Sequence, residues 1–272
     1  MDNEQRECEV PSEIYDKDYY LRDNEGFSEF LGGLDKHIHP KFERVMAWAG
    51  VREGMRILDI GCGRGELLYY CATKGAHVLG VDYSQAAIEL CRTTIQAIPP
   101  AYRNLARAEC VDICRYDFHE EFDLVFIVEV IEHLTDKQVS DLIAKVHKIL
   151  KKGGRVFIST PNFYYEKYLS PTKRFFDIPF KMIKEPLRVL RGKYRPKNLK
   201  DFLRRIFRIQ VDRGAKGKQM HVNVMTPGKL RRALRDFARS SVRCEDHSFN
   251  PISLALKKWW GRDIIAIGIK SS

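Results

Sequence analysis

The chain has 272 residues, 44% of them apolar and 31% charged, enough for one large domain or two small ones with a buried core. Its acidic start, MDNEQRECEV, lacks the apolar stretch of a secretory leader, and no apolar run approaches the roughly 18 residues of a spanning helix. Seven cysteines, an odd number without a C-x-x-C pair, point to neither a disulfide framework nor a zinc ribbon, so they read as small core residues in a reducing compartment. The expected location is cytoplasmic, with peripheral attachment to the inner membrane surface as an option. The net charge of +11 is uneven: residues 164–218 hold 17 Lys and Arg against 5 Asp and Glu, and the remainder is close to neutral. That segment is either an anion-facing surface or a solvated insertion.

From Arg56 onward, short apolar runs alternate with helical patterns, as in βαβ units of a mostly parallel sheet. RILDI (56–60) predicts a first strand, and Glu66 to Lys74 the helix after it. HVLGVD (77–82) predicts a second strand; Ser84 then caps a helix that Pro99 and Pro100 stop. A third strand is expected around Ala108 to Asp112. FDLVFIVEV (122–130) predicts a fourth, apolar almost throughout, as for a strand buried on both faces. Thr135 and Gln138 make a capping-box pattern, and Val139, Leu142, Ile143, Val146, Ile149 and Leu150 follow at helical spacing. Lys151 to Gly154 are expected to end that helix, with RVFIST (155–160) as the fifth strand. Further on, Thr226 and Pro227 open a helix to Ala238, and two terminal strands are expected near Ser241 to Glu245 and Asp263 to Ile269.

The stretch after the first strand reads D-x-G-x-G-x-G: Asp59, Gly61, Gly63, Gly65. A dinucleotide fingerprint needs glycine where Glu66 stands, and a carboxylate so close to the loop repels a pyrophosphate. It suits a ligand bearing an ammonium and a sulfonium. Asp82, at the end of the second strand, can accept hydrogen bonds from both hydroxyls of a ribose, and Tyr83 follows it. VDI (111–113) places Asp112 near an adenine amino group and Ile113 against the ring. In these residues the chain resembles the class I S-adenosylmethionine-dependent methyltransferase family, closely over about 54–160.

The resemblance implies a Rossmann-like, doubly wound α/β fold: a mostly parallel seven-stranded sheet with an antiparallel terminal strand, in one domain spanning 1–272. It implies an N-terminal helical lid over 1–50, which would bring Tyr15, Tyr19 or Tyr20 to the pocket; the length of the connection before Thr226, far beyond an ordinary one, marks 163–220 as a basic inserted cap. The cofactor is then S-adenosyl-L-methionine, held by Asp59, Gly61, Cys62, Gly63, Gly65, Asp82, Tyr83, Asp112, Ile113, Glu129 and Tyr19. Cys62 reads as a spacer inside the loop, since nothing nearby in sequence marks it for activation.

Methyl transfer is an in-line displacement that needs a positioned acceptor, plus a base only where the acceptor carries a proton. VEVIEHL (128–134) offers Glu132 and His133 as catalytic candidates, with His133 the better base unless it caps a helix or packs; Glu129 is expected to line the cofactor pocket. EVIEH, STPN (159–162) and HVNVMTPGKL (221–230) are similar to two branches of the family. One comprises O-methyltransferases of the ubiquinone-biosynthesis type, acting on small or lipid-linked acceptors. The other comprises metal-dependent RNA 2′-O-methyltransferases, onto whose ligand positions Glu129, Glu132, His133 and His221 can be carried. We take the first branch as the expectation, with no metal, oxygen ahead of nitrogen as acceptor atom, and a small, sugar or lipid-linked acceptor.

In the basic segment, Leu199, Phe202, Leu203, Ile206 and Phe207 fall on one helical face and Lys200, Arg204, Arg205 and Arg208 on the other. Phe176, Phe180, Ile183, Leu187 and Leu190 form a second apolar series. The insertion is expected to cap the substrate site; an anionic membrane surface and an RNA backbone are the alternative partners. A chain that binds the cofactor without catalysis and acts as an adaptor at a membrane or RNA is the reading from another functional class.

Overall fold

A computed structural model describes residues 11–23, 30, 33–35, 38–169, 182–190, 198–200, 202–203, 222–245, 258 and 260–272. Seven strands form one sheet: β1 (Arg56–Ile60), β2 (His77–Asp82), β3 (Ala106–Cys110), β4 (Phe122–Val128), β5 (Leu150–Pro161), β6 (Arg239–Glu245) and β7 (Asp263–Ile269). Their order is β3-β2-β1-β4-β5-β7-β6. The first five run parallel, and β7 lies antiparallel between β5 and β6. The chain reverses direction across the sheet beside β1, so the crevice for a ligand opens where the carboxyl ends of β1, β2 and β4 meet.

Helices cover both faces. α1 (Pro40–Ala49), α2 (Glu66–Thr73) and α3 (Gln85–Ala97) lie on one side, and α4 (Asp136–Ile149) and α5 (Pro227–Ala233) on the other. Strand β4 shows why: Leu124 and Phe126 join the first core, while Val125 and Ile127 join the second. Side chains alternate across a strand, so one covered on both faces must be apolar at every position. The Thr135–Gln138 capping box forms as the sequence indicates, and Ser84 Oγ accepts from Ala87 N at 3.2 Å at the start of α3.

The differences from expectation lie at element ends. Strand β3 starts and stops two residues early, because Ala106 already pairs with Val78. Strand β4 ends at Val128: Glu129 takes φ 57°, which no strand accommodates, although its N–H still donates to Ser159 O at 2.8 Å. No loop separates α4 from β5, since Leu150 is already buried and paired with Phe122. Gly153, at φ 72°, and Gly154, where a Cβ would lie 2.8 Å from Lys151 O, instead carry an irregularity within β5. Helix α5 stops at Ala233 instead of Ala238, and Leu234 and Phe237 close over Gly268, whose missing side chain makes room for the ring.

A further helix spans 182–190. Ile183, Leu187 and Leu190 are exposed on it, so these members of the second apolar series do not join the core. Phe176, Phe180, Ile206, Phe207, Arg204, Arg205 and Arg208 lie outside the described residues.

Candidate functional site

The loop after β1 is shaped by backbone conformations that side chains resist. Gly61, Gly63 and Gly65 have φ of 72°, 52° and 85°, and an L-residue in the left-handed region costs about 1–2 kcal/mol. A Cβ on Gly61 would lie 2.4 Å from Val130 Cγ2, and one on Gly65 2.7 Å from Cys91 Sγ. The N–H groups of Gly61 and Cys62 both donate to Val81 O, at 2.8 and 3.0 Å, holding the loop against the end of β2. Gly63 faces a cleft, with Tyr20 Cε1 3.5 Å from where its Cβ would stand.

That cleft encloses about 730 Å³ of empty space including its open mouth. Asp82 stands on its wall. Its Oδ2 accepts from Gly63 N at 3.0 Å and its Oδ1 from Ser84 N at 2.9 Å. Burial raises its carboxyl to about 6, against the lowering effect of those N–H donors. Asp59 is 2% exposed, and burial followed by the charges of Glu66 and Asp82 pushes its carboxyl well up. Of these acids only Asp82 faces the cleft, since Glu66 pairs with the buried Arg64 guanidinium and Asp59 lies beneath the loop.

The N-terminal segment forms the opposite wall. Tyr15, Tyr19 and Tyr20 all line the cleft. Tyr15 stands edge-on to Tyr19, Tyr83 and His133 at 5.1, 5.5 and 5.7 Å between ring centres, and Ser84 Oγ donates to Tyr15 O at 2.7 Å. Glu129 and His133, from the turn after β4, close the far end, with Val111 and Ile113 at the side. The strained φ of Glu129 turns its side chain toward this end, and its Oε1 is buried without a hydrogen-bond partner.

Not every residue singled out in the sequence reaches the cleft. Asp112 is absent from its lining and spends Oδ1 on Cys114 N at 2.9 Å. Cys62 points into the core, its Sγ 4.0 Å from Cys91 Sγ. Glu132 is 1% exposed and accepts from Thr160 Oγ1 at 3.0 Å, with burial and then the Glu129 charge pushing its carboxyl up. His221 lies outside the described residues.

Lys41 was not legible in the sequence as a site residue. It opens α1, just after the His39 cap and Pro40, and its Nζ lies 3.5 Å from Glu129 Oε2. No motif marks a lysine there; only folding brings α1 to the end of β4.

Comparison with known proteins agrees with this geometry. Residues 57–154 match the family model described as a methyltransferase domain. A ubiquinone biosynthesis O-methyltransferase of Chelativorans sp. (strain BNC1) is 40% identical over 110 residues, covering 40% of this chain and 42% of the relative. One from Pseudomonas aeruginosa (strain UCBPP-PA14) is 32% identical over 127 residues, covering 45% and 52%. The chain thus spans about half the length of the relatives it matches. Among solved structures, the magnesium protoporphyrin IX methyltransferase of Synechocystis PCC 6803 with bound SAH aligns over 94% of this chain and 97% of its own. Its TM-score is 0.53 at 18% identity. An S-adenosylmethionine (SAM)-dependent methyltransferase from Archaeoglobus fulgidus covers 85% and 91% with the same TM-score at 19% identity. Residues 57–154 thus match a methyltransferase domain, and the sheet as a whole shares the fold of S-adenosylmethionine-dependent methyltransferases.

Proposed function

We propose that this chain moves a methyl group from S-adenosylmethionine to an oxygen of a small or lipid-linked acceptor. The observation that carries the reading is the cleft beside the glycine loop, where Gly61 and Gly63 bring backbone close to the ligand space and the acids that face it are Asp82 and Glu129. A pyrophosphate would meet like charge there, whereas a sulfonium and an ammonium are attracted. When bound, the cofactor supplies a methyl group on a positively charged sulfur. In this reading Asp82 accepts from the ribose hydroxyls, and Val111 and Ile113 pack against the adenine. Lys41 and Glu129, loosely paired at 3.5 Å with Glu129 Oε1 unpartnered, match the carboxylate and ammonium of the methionyl end.

His133, on the cleft wall, is the residue we assign to take the acceptor proton, and Tyr15 beside it excludes water. Glu132, shut from the cleft, is given the supporting role of tying the turn to β5 through Thr160. Calorimetry with S-adenosylhomocysteine and with NAD tests the cofactor assignment, and binding of NAD alone would refute it. Mass spectrometry of extract acceptors, searching for a methyl-sized mass gain, tests transfer. Activity should survive chelation, and the His133→Ala defect should shrink for acceptors already deprotonated. Loss on chelation with recovery on adding a divalent cation would favour the RNA-modifying branch instead.

The exposed face of the 182–190 helix favours a lipid-linked acceptor. Ile183 and Leu190 are 67% and 82% exposed there beside Lys184 and Arg188, an arrangement suited to an anionic headgroup layer. No helix among the described residues is long and apolar enough to cross a membrane. Wild-type protein should sediment with acidic vesicles and be released by salt; retention on single-stranded RNA but not on vesicles would assign the segment to RNA.

A further inference from the structure

The glycine loop contains one large side chain that the chemistry above does not use. Arg64 sits between Gly63 and Gly65, yet its side chain is 2% exposed. Its guanidinium divides its donors between two places. Nε and Nη2 face Glu66 Oε1 at 2.7 and 2.6 Å, and Nη1 donates to the backbone carbonyl of Tyr20 at 2.7 Å. The same group lies 5.1 Å from the centre of the Phe30 ring. Behind it, Thr94 Oγ1 of α3 donates to Arg64 O at 2.6 Å. One residue of the cofactor loop is therefore bound at once to α2, to α3 and to two points of the N-terminal segment.

We propose that Arg64 is a positioning residue that latches the N-terminal segment over the cofactor cleft and so sets how long the cofactor stays bound. Three features converge on this. A planar fork with five donors can satisfy a carboxylate and a carbonyl together, which a lysine ammonium does with far less geometric definition. The carbonyl it holds belongs to Tyr20, whose ring lies over Gly63, so the latch acts where the segment meets the loop. The second anchor, Ser84 Oγ to Tyr15 O, lies two residues beyond Asp82. Both anchors thus leave the rim of the cleft itself. A ligand that orders the rim strengthens the docking of Tyr15, Tyr19 and Tyr20, and by linkage the docked tyrosines retain the ligand. The docked segment restrains a ligand already in the cleft, so loss of the latch speeds release more than it slows entry.

The inference rests on the cofactor reading given above, and two readouts separate their failures. Arg64→Met alone leaves Glu66 buried without its counter-ion and can unfold the chain, so the test uses Arg64→Met combined with Glu66→Leu, and separately Arg64→Lys. Hydrogen exchange of the free protein reports the latch without any ligand: both variants should lose protection at residues 15–21 while the sheet amides keep theirs. Stopped-flow release of S-adenosylhomocysteine reports its consequence: dissociation should accelerate by about tenfold, the effect of one lost hydrogen bond to a charged group, with association within about twofold of wild type. Unchanged protection at 15–21 and unchanged release in the double variant would overturn the proposal. Lost protection in a protein whose wild type binds no S-adenosylhomocysteine would uphold the latch and refute the cofactor assignment.

Discussion

Strands β1, β4 and β5 bury their apolar side chains almost completely, whereas Met182, Ile183 and Leu190 on the 182–190 helix are 54%, 67% and 82% exposed. Both regions carry apolar residues at the spacing of their element. They differ in what faces them: the sheet is covered by helices on both sides, and the helix presents its stripe outward. Burying a side chain such as Leu or Ile stabilises by about 1.5–3 kcal/mol, so the first region should be intolerant of change and the second nearly indifferent, except toward a partner.

The sharpest way to break that contrast is Gly61→Ala. A methyl group there meets Val130 Cγ2 at 2.4 Å on a backbone at φ 72°. With about 1–2 kcal/mol of backbone cost and a displaced wall, cofactor affinity should fall by roughly two orders of magnitude. Adding Val130→Ala should restore part of it; calorimetry showing full affinity for Gly61→Ala would deny the loop its role.

Asp82→Ala comes next, with an expected loss of about 1.5–3 kcal/mol in binding, the range for hydrogen bonds to a charged group. A retained affinity would remove the ribose assignment. The same residue gives a pH signature. Its carboxyl, raised by burial to about 6, must be ionised to accept two hydroxyls, so affinity should be flat above pH 7 and weaken about tenfold by pH 5. Asp82→Asn should abolish that slope. For the unliganded protein the sign reverses. A carboxyl whose folded pKa is raised favours the fold below its unfolded value and loses that contribution as pH rises through 6. The difference in thermal melts between wild type and Asp82→Asn, followed from pH 4 to 7 at fixed ionic strength, should therefore trend opposite to affinity, and a parallel trend would contradict the assigned environment.

The smallest effect belongs to the helix. Ile183→Ser with Leu190→Ser should change stability by no more than about 0.5 kcal/mol and leave cofactor affinity intact while reducing attachment to acidic vesicles. A clear drop in denaturation midpoint would show that the stripe is covered after all, and would return the insertion to a capping role alone.

The residue pattern by itself determined the strands and the alternation of layers, because burial on both faces demands unbroken apolar runs and a helix on one face demands a 3.6-residue period. It also determined the glycine loop and Asp82, since positive φ restricts the residue type and a strand end fixes where an acid must stand. Element ends escaped it. The early stop of β4 at Glu129 and the direct passage from α4 into β5 follow from pairing with Ser159 and Phe122, partners about 30 residues away in sequence. Within EVIEH the letters do not separate Glu132, buried against Thr160, from Glu129 and His133, which line the cleft. Lys41 and Arg64 became visible only in three dimensions. No local motif marks a lysine after a helix cap or an arginine inside a glycine loop; folding brings Glu129 to one and the Tyr20 carbonyl to the other. Local sequence sets conformation and periodicity, but the partner of a long, charged side chain is chosen by which distant backbone the completed sheet places within its reach.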